Sequence, residues 1–458
     1  MLRRPWSLPA AAVIVTAVGI SAIVLGGCSG GAGDSPSQAT VTPNPPTLTA
    51  TPATPTPTPL TFAITPEAMA YNLGDPAFEP LPGARAQFGV HQGAMYQIEV
   101  PDRWNGDLVL FAHGYKGYAP SLSVGPPPLR AHLIANGYAW AASSYQANGY
   151  AAGVGAEDTR RLAGLFADIV GEPGRTYVYG ISMGGHITTF LLERYPTEFD
   201  GAFAECGAVA GVGILDYFVN WTIIASYLAG VDEGRASDPS IYQAAIAEMN
   251  AQLGSAESPT LAGRRFESVI SELTGGPRPW RHEGFAQARG ANFAVILDAL
   301  RNPEPSLSAS TNEGEIYRIA PGLGLTAADL NRAVPRLAAA PDVRDGRRFP
   351  ALAPVSGRIE RPYITITNTG DFFVPISQQQ IYRRAVQAAG RDDLLVQRAV
   401  RRPGHCNFTA AERVGAFDDL VRWVEDGVRP PGDDLLGDLT NVGLAFTEPL
   451  LPDDPGTP

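Results

Sequence analysis

The sequence predicts an α/β fold, a mostly parallel central sheet with helices on both faces, interrupted by a large helical insertion. Three observations predict it. Short β-branched and aromatic runs alternate with segments of helical apolar spacing, from Tyr96 to Cys206 and again from Pro362 onward. One such run, Tyr177 to Ile181, stops abruptly in Gly180-Ile181-Ser182-Met183-Gly184 and leads straight into an apolar helix pattern. Between the two alternating stretches, residues 211–350 read as helices alone.

The elements follow in order. Tyr96 to Val100 reads as an early strand, and Asp107 to Ala112 as a buried one running into His113-Gly114-Tyr115. Ala131 to Asn136 is a helix and Tyr138 to Ser143 a strand. Glu157 to Val170 carries Leu162, Leu165, Phe166 and Ile169 on one side of a helix, ahead of the strand that delivers Ser182. The next helix runs to Tyr195, where Pro196 stops it, and Ala202 to Cys206 supplies another strand. In the insertion, Ile241 to Leu253, Leu261 to Leu273 and Phe293 to Leu300 have helical spacing. An insertion of this kind is expected to cap the carboxyl edge of the sheet. Its aromatics Tyr217, Phe218, Trp221, Trp280 and Phe285 either line a cleft there or form the cap's own core. Strand character returns at Pro362 to Thr367, then a helix over Ser377 to Ala389, a strand over Leu394 to Val400, and a last helix beyond His405.

The 458 residues, 45% hydrophobic, exceed the usual size of one compact domain and fit one domain plus an insertion. The expected boundaries are 62–210 with 351–445 for the sheet domain, 211–350 for the cap and 446–458 for a flexible tail. The formal charge of −12 argues against nucleic acid or a polybasic membrane surface as partner. Residues 1–27 begin with Arg3 and Arg4, continue through an apolar run from Ala10 to Leu25, and end in Gly26-Gly27 before Cys28. This stretch resembles a bacterial lipoprotein signal. The resemblance implies that Cys28 carries lipid, that the membrane is touched only through that anchor, and that the body lies outside the cytoplasm. Residues 28–61 are rich in Gly, Ser, Thr and Pro and end in repeated Thr-Pro, a composition with nothing to bury, expected as a solvated tether.

The chemistry centres on Ser182. Glycines at 180 and 184 let the backbone turn tightly from strand to helix, the sequence form of a nucleophile elbow, with the hydroxyl held above the sheet and a helix N-terminus beneath it. A serine hydroxyl needs a neighbouring base, itself oriented by a third group. Asp371 lies on the loop directly after the Tyr363 to Thr367 strand, and His405 on the loop before the final helix. Of six histidines, His91 precedes the sheet core, His132 sits in a helix, His282 in the cap, His113 in the loop after an early strand, and His186 one turn beyond Ser182, where it packs or bonds locally. His405 is what remains. No His/Cys/Asp cluster has metal-ligand spacing, and no cofactor is expected.

These four separated signals, the His113-Gly114 turn, the Ser182 elbow, the Asp371 loop and the His405 loop, resemble a secreted serine hydrolase of the α/β-hydrolase superfamily. The resemblance covers about Tyr96 to Glu425. It implies an ester hydrolase working through an acyl-enzyme, with the backbone N–H groups of Met183 and Tyr115 as oxyanion donors and Gly114 as the alternative to Tyr115. Feruloyl esterases and tannases place a disulfide next to their catalytic histidine, and His405-Cys406 is similar. There the partner cysteine adjoins the serine, whereas here the candidate, Cys206, lies two dozen residues later. A Cys206–Cys406 bridge pinning the His405 loop is the expectation. The order Ser, Asp, His also fits relatives of prolyl oligopeptidase, for which Glu313 and Glu315 offer an acidic anchor for a substrate amino group, and acyl transfer differs only in the acceptor. A binding module without activity is the remaining alternative. The sequence leaves the acyl and alcohol specificity and the oligomeric state open.

Overall fold

The computed structural model describes residues 71–232, 239–301 and 305–449. The signal, the tether, Cys28 and the end of the tail therefore lie outside the described residues.

An eight-stranded sheet organises the molecule. Its strands are β2 (Ala84–His91), β3 (Ala94–Pro101), β4 (Asp107–Ala112), β6 (Ala139–Ser143), β7 (Arg175–Ile181), β8 (Gly201–Glu205), β9 (Tyr363–Gly370) and β10 (Leu395–Pro403). The order across the sheet is β2-β3-β6-β4-β7-β8-β9-β10. β3 runs antiparallel to both its neighbours, and every pairing beyond it is parallel. A separate two-residue pair joins β1 (Asn72–Leu73) to β5 (Ser121–Leu122). β4 and β8 are buried along their whole length and β7 at all but its two end residues, which is why they read as nearly continuous apolar runs.

Alternate residues of these strands feed two separate cores. Leu108, Leu110 and Val178 pack with α2 (Ala152–Ile169), α3 (Met183–Arg194) and α11 (Ser377–Ala388) through Phe166, Ile187 and Tyr382. Val109, Phe111, Tyr177 and Tyr179 pack with α1 (Arg130–Ala135) and α12 (Ala410–Asp426) through Leu133, Phe417 and Leu420. With the first and second strands forming an antiparallel edge, the third and fourth exchanged, and a serine on the turn leaving the fifth, this is the α/β-hydrolase fold.

Between β8 and β9 stand helices α4 (Gly213–Ala229), α5 (Pro239–Leu253), α6 (Leu261–Leu273), α7 (Arg281–Arg301), α8 (Pro305–Ser308), α9 (Ala327–Ala333) and α10 (Pro341–Arg344). Their core gathers around Trp221, whose ring centroid lies 5.0 Å from that of Phe266 and 5.5 Å from that of Phe285.

Several elements differ from the sequence reading. β2 carries too few buried residues to announce itself; as an edge strand it leaves Phe88 and Val90 exposed. α2 starts at Ala152 and α7 at Arg281, both earlier than their apolar spacing indicates. Glycines inside these helices weaken the pattern, and two of them sit against neighbours: a Cβ on Gly155 would stand 2.7 Å from the end of the Ile187 side chain, and one on Gly284 would stand 1.8 Å from the backbone oxygen of Gly370, which leaves no room for it. Residues 446–448, expected to begin a flexible tail, are instead tied down. Arg398 lies over the Phe446 ring, Thr447 Oγ1 accepts from Arg401 N at 2.8 Å, and Glu448 N donates to Glu412 at 2.7 Å.

Candidate active site

The turn between β7 and α3 holds Ser182 at φ 56°, ψ −118°, a conformation that L-residues adopt only when their surroundings impose it. The surroundings do so. Ser182 N donates to Glu205 O at 3.1 Å, and Ser182 O accepts from Gly185 N at 2.9 Å and Ala208 N at 3.0 Å. The helix can approach this closely only over bare α-carbons: a Cβ on Gly180 would lie 2.1 Å from Gly184 O, and one on Gly184 would lie 1.9 Å from Ala112 O.

Three side chains from separate loops meet here. His405 Nε2 lies 2.9 Å from Ser182 Oγ, and His405 Nδ1 lies 2.6 Å from Asp371 Oδ2. The fully buried Asp371 also accepts from Phe373 N at 2.8 Å and Val374 N at 2.9 Å through its other oxygen, which fixes the carboxylate plane. A carboxylate only accepts, so Nδ1 carries the hydrogen and Nε2 is left to receive the serine proton.

The His405 loop is clamped from three sides. Cys406 is joined to Cys206 by a disulfide. Asn368 donates to Asn407 O at 2.8 Å and accepts from Asn407 N at 2.9 Å. Arg413, paired with Glu205 at 2.7 Å, donates to Phe408 O at 2.8 Å and Cys406 O at 3.3 Å. Burial pushes the Glu205 carboxyl up, against the pull of Arg413 and of a hydrogen bond from the Tyr179 hydroxyl. Asn368, Glu205 and Arg413 were not singled out as functional from the sequence. The signal for the first two was a polar residue near the carboxyl end of a buried strand. Behind Asp371, buried Arg278 donates to Thr369 O at 2.6 Å and lies over the Phe372 ring; burial brings its guanidinium down to about 10, with the Tyr217 hydroxyl, then Asp371, pulling the other way.

Cys206, Cys406 and His405 bring three potential metal donors within 4.8 Å, but both sulfurs are bonded to each other and both ring nitrogens face Ser182 and Asp371. His186 and His113 are engaged elsewhere. His186 Nε2 lies 2.7 Å from Ala351 O and Nδ1 lies 3.0 Å from the Tyr150 hydroxyl; burial lowers it to about 4, so the ring is neutral. His113 turns away from Ser182 to stack on Tyr145 with centroids 3.9 Å apart, and burial lowers it to about 3.

Met183 opens α3, so its N–H has no acceptor within the helix. The loop after β4 passes against the serine: a Cβ on Gly114 would stand 3.0 Å from Ser182 Cβ and 3.6 Å from Oγ. Tyr115 and Met183 both border a cavity of about 40 Å³, with Ser182 on its wall. Phe218, Ile296, Leu307 and Phe373 make up much of its lining, and among the described residues no charged side chain lines it. Of the five cap aromatics considered, Phe218 reaches this cavity. Trp221 and Phe285 belong to the cap core, the Tyr217 hydroxyl donates to Phe372 O at 2.6 Å, and Trp280 lies against Gly370.

No family model matches the chain. An o-phthalyl amidase of Xanthobacter agilis is 25% identical over 419 residues, spanning 77% of this chain and 90% of the amidase. Among solved structures, an esterase from Aspergillus oryzae aligns at 13% identity over 78% of this chain and 84% of its own, with a TM-score of 0.43. Feruloyl esterase B from Aspergillus oryzae aligns at 13% identity over 76% and 82%, with a TM-score of 0.44.

Proposed function

We propose that this chain is a serine hydrolase that cleaves carboxylic esters through an acyl-enzyme. The observation that carries the reading is the unbroken chain from Ser182 Oγ through His405 to Asp371, at 2.9 and 2.6 Å. Ser182 Oγ attacks the acyl carbon as His405 Nε2 takes its proton, and the backbone N–H groups of Met183 and Tyr115 hold the oxyanion. His405 then returns the proton to the departing alkoxide, which leaves as the alcohol. Water, deprotonated by the same nitrogen, attacks the acyl-serine; the acid leaves and Ser182 recovers its proton. Asp371 keeps Nδ1–H oriented and stabilises the imidazolium that forms in each half-reaction.

The cavity beside Ser182 supports a compact, uncharged acyl group, since its walls offer apolar contact and no counter-ion. Amide hydrolysis is the second reading, favoured by the likeness to an o-phthalyl amidase. A peptidase that anchors a substrate amino group gains no support: Glu313 is exposed, and Glu315 borders a different pocket from the one that holds Ser182. The deciding experiment compares nitrophenyl esters of graded acyl length, neutral N-aryl amides and aminoacyl nitroanilides, in wild type and Ser182→Ala. Ester turnover that Ser182→Ala abolishes is expected; turnover of the aminoacyl anilides alone would overturn the ester reading.

We also propose export and anchoring through lipid on Cys28. The signal-like N-terminus supports this, as does a Cys206–Cys406 disulfide, a bond that persists in oxidising compartments. Among the described residues no helix is long and apolar enough to cross a membrane. Labelled fatty acid should enter the wild-type chain and not Cys28→Ala.

A further inference from the structure

Helix α4 separates two pockets. Ile214, Leu215 and Phe218 face the Ser182 cavity, whereas Gly213, Asp216, Tyr217 and Asn220, on the other side of the helix, face a pocket of about 150 Å³. At helical spacing these two sets lie on opposite faces. The second pocket differs in character from the first: Asp216, Glu315, Arg344 and the Gln378 amide line it, alongside Leu273, Val355 and Ile381.

Most of its polar groups are already satisfied. Asp216 accepts two bonds from Arg344, each at 2.8 Å, and one from Thr311 N at 2.8 Å. Asn220 accepts from the Tyr317 hydroxyl at 2.6 Å and donates to Asp216 O at 3.0 Å. Arg336, near Glu315, is directed to the backbone carbonyls of Asn312 and Glu315. Gln378 is the exception. It is 1% exposed, and neither its amide oxygen nor its amide nitrogen has a hydrogen-bond partner. Buried polar groups are as a rule bonded, so a buried amide facing a cavity of this size points to an occupant.

The charges define that occupant. Asp216 and Arg344 pair within the lining, which leaves Glu315 as the lining carboxylate without a cation on the wall itself; Arg336 and Arg318 act on it from outside the lining, and the Gln378 amide carbonyl, which accepts, lines the same pocket. We propose that this pocket binds a small organic cation, a short primary ammonium or guanidinium compound. Its N–H groups bond to Glu315 and the Gln378 carbonyl, and its carbon skeleton lies against Leu273, Val355 and Ile381. The Gln378 N–H is then available to an acceptor on the same ligand.

The test is isothermal titration of the full chain at neutral pH with n-propylammonium, and separately with propionate and glycerol. Propylammonium should bind saturably in the millimolar range, and Glu315→Gln and Gln378→Leu should each weaken it at least about tenfold. Ser182→Ala should bind it unchanged, which keeps this result separate from the fate of the hydrolase reading. Equal or tighter binding of propionate or glycerol to the wild type would overturn the proposal without recourse to any variant. So would an absence of saturable heat up to about 50 mM, the behaviour of a pocket that holds water alone.

Discussion

Removing the Cys206–Cys406 bridge separates what stabilises the body from what aims His405. The two cysteines are 200 residues apart in sequence, and closing a loop of that length in the unfolded chain is worth about 5 kcal/mol in the chain-entropy treatment. The body of roughly 380 residues unfolds with an entropy of about 0.8 kcal/mol/K, so the double variant Cys206→Ala/Cys406→Ala should melt about 6 °C lower than wild type. Activity should suffer much less. Asn407 remains bonded to Asn368 in both directions, and Arg413 still donates to the carbonyls of residues 406 and 408. With those contacts intact, kcat/KM at 25 °C should fall by less than about tenfold, a barrier change under about 1.4 kcal/mol. Calorimetry and ester kinetics on the same preparations provide both numbers, and wild type treated with thiol should reproduce them. An unchanged melting temperature would refute the entropic argument. A native melting profile with activity lost altogether would show that the bridge itself, and not the asparagine and arginine clamp, positions the imidazole.

Asp371→Asn should leave the protein folded and lower kcat/KM by about 10⁴-fold, because an amide can present N–H to Nδ1 and favour the wrong imidazole tautomer; a loss under tenfold would remove Asp371 from the mechanism. Gly184→Ala should abolish soluble expression or cost more than about 3 kcal/mol, since its methyl would fall 1.9 Å from Ala112 O, and a well-folded, active variant would contradict the elbow geometry. Stability should depend on pH through His186 and His113, whose buried rings titrate near 4 and 3 instead of 6.5. Between those limits the unfolded chain binds more protons than the folded one, so the stabilisation is complete above about pH 6.5 and is lost as pH falls, by about 3 kcal/mol from His186 alone. Melting temperature measured from pH 7 to 4 should fall, and His186→Gln should flatten that dependence; a flat wild-type profile would show that these rings are not held neutral.

Much of the fold was legible because the information is local. Asp107 to Ala112 and Leu261 to Leu273 occupy the elements their patterns indicate, residue for residue. The elbow was legible for the same reason, since a glycine at each end of a tight turn is a demand of the backbone itself. The N-terminal limits of α2 and α7 were not, because Gly155 and Gly284 answer to neighbours distant in sequence, Ile187 and Gly370.

By itself the sequence determined which residues were chemically able to act: one serine on a strand-to-helix turn, one carboxylate after a buried strand, and a histidine left when five others had local reasons to be where they are. Only the tertiary structure decided their surroundings. It turned Phe218 into the Ser182 cavity while Trp221 became core, put Glu315 on the far side of α4, and assembled Asn368, Glu205 and Arg413 around the His405 loop. The physical reason is that backbone conformation follows from neighbours along the chain, whereas which face of a helix meets a cavity, and which buried polar group finds a partner, depends on packing between segments hundreds of residues apart.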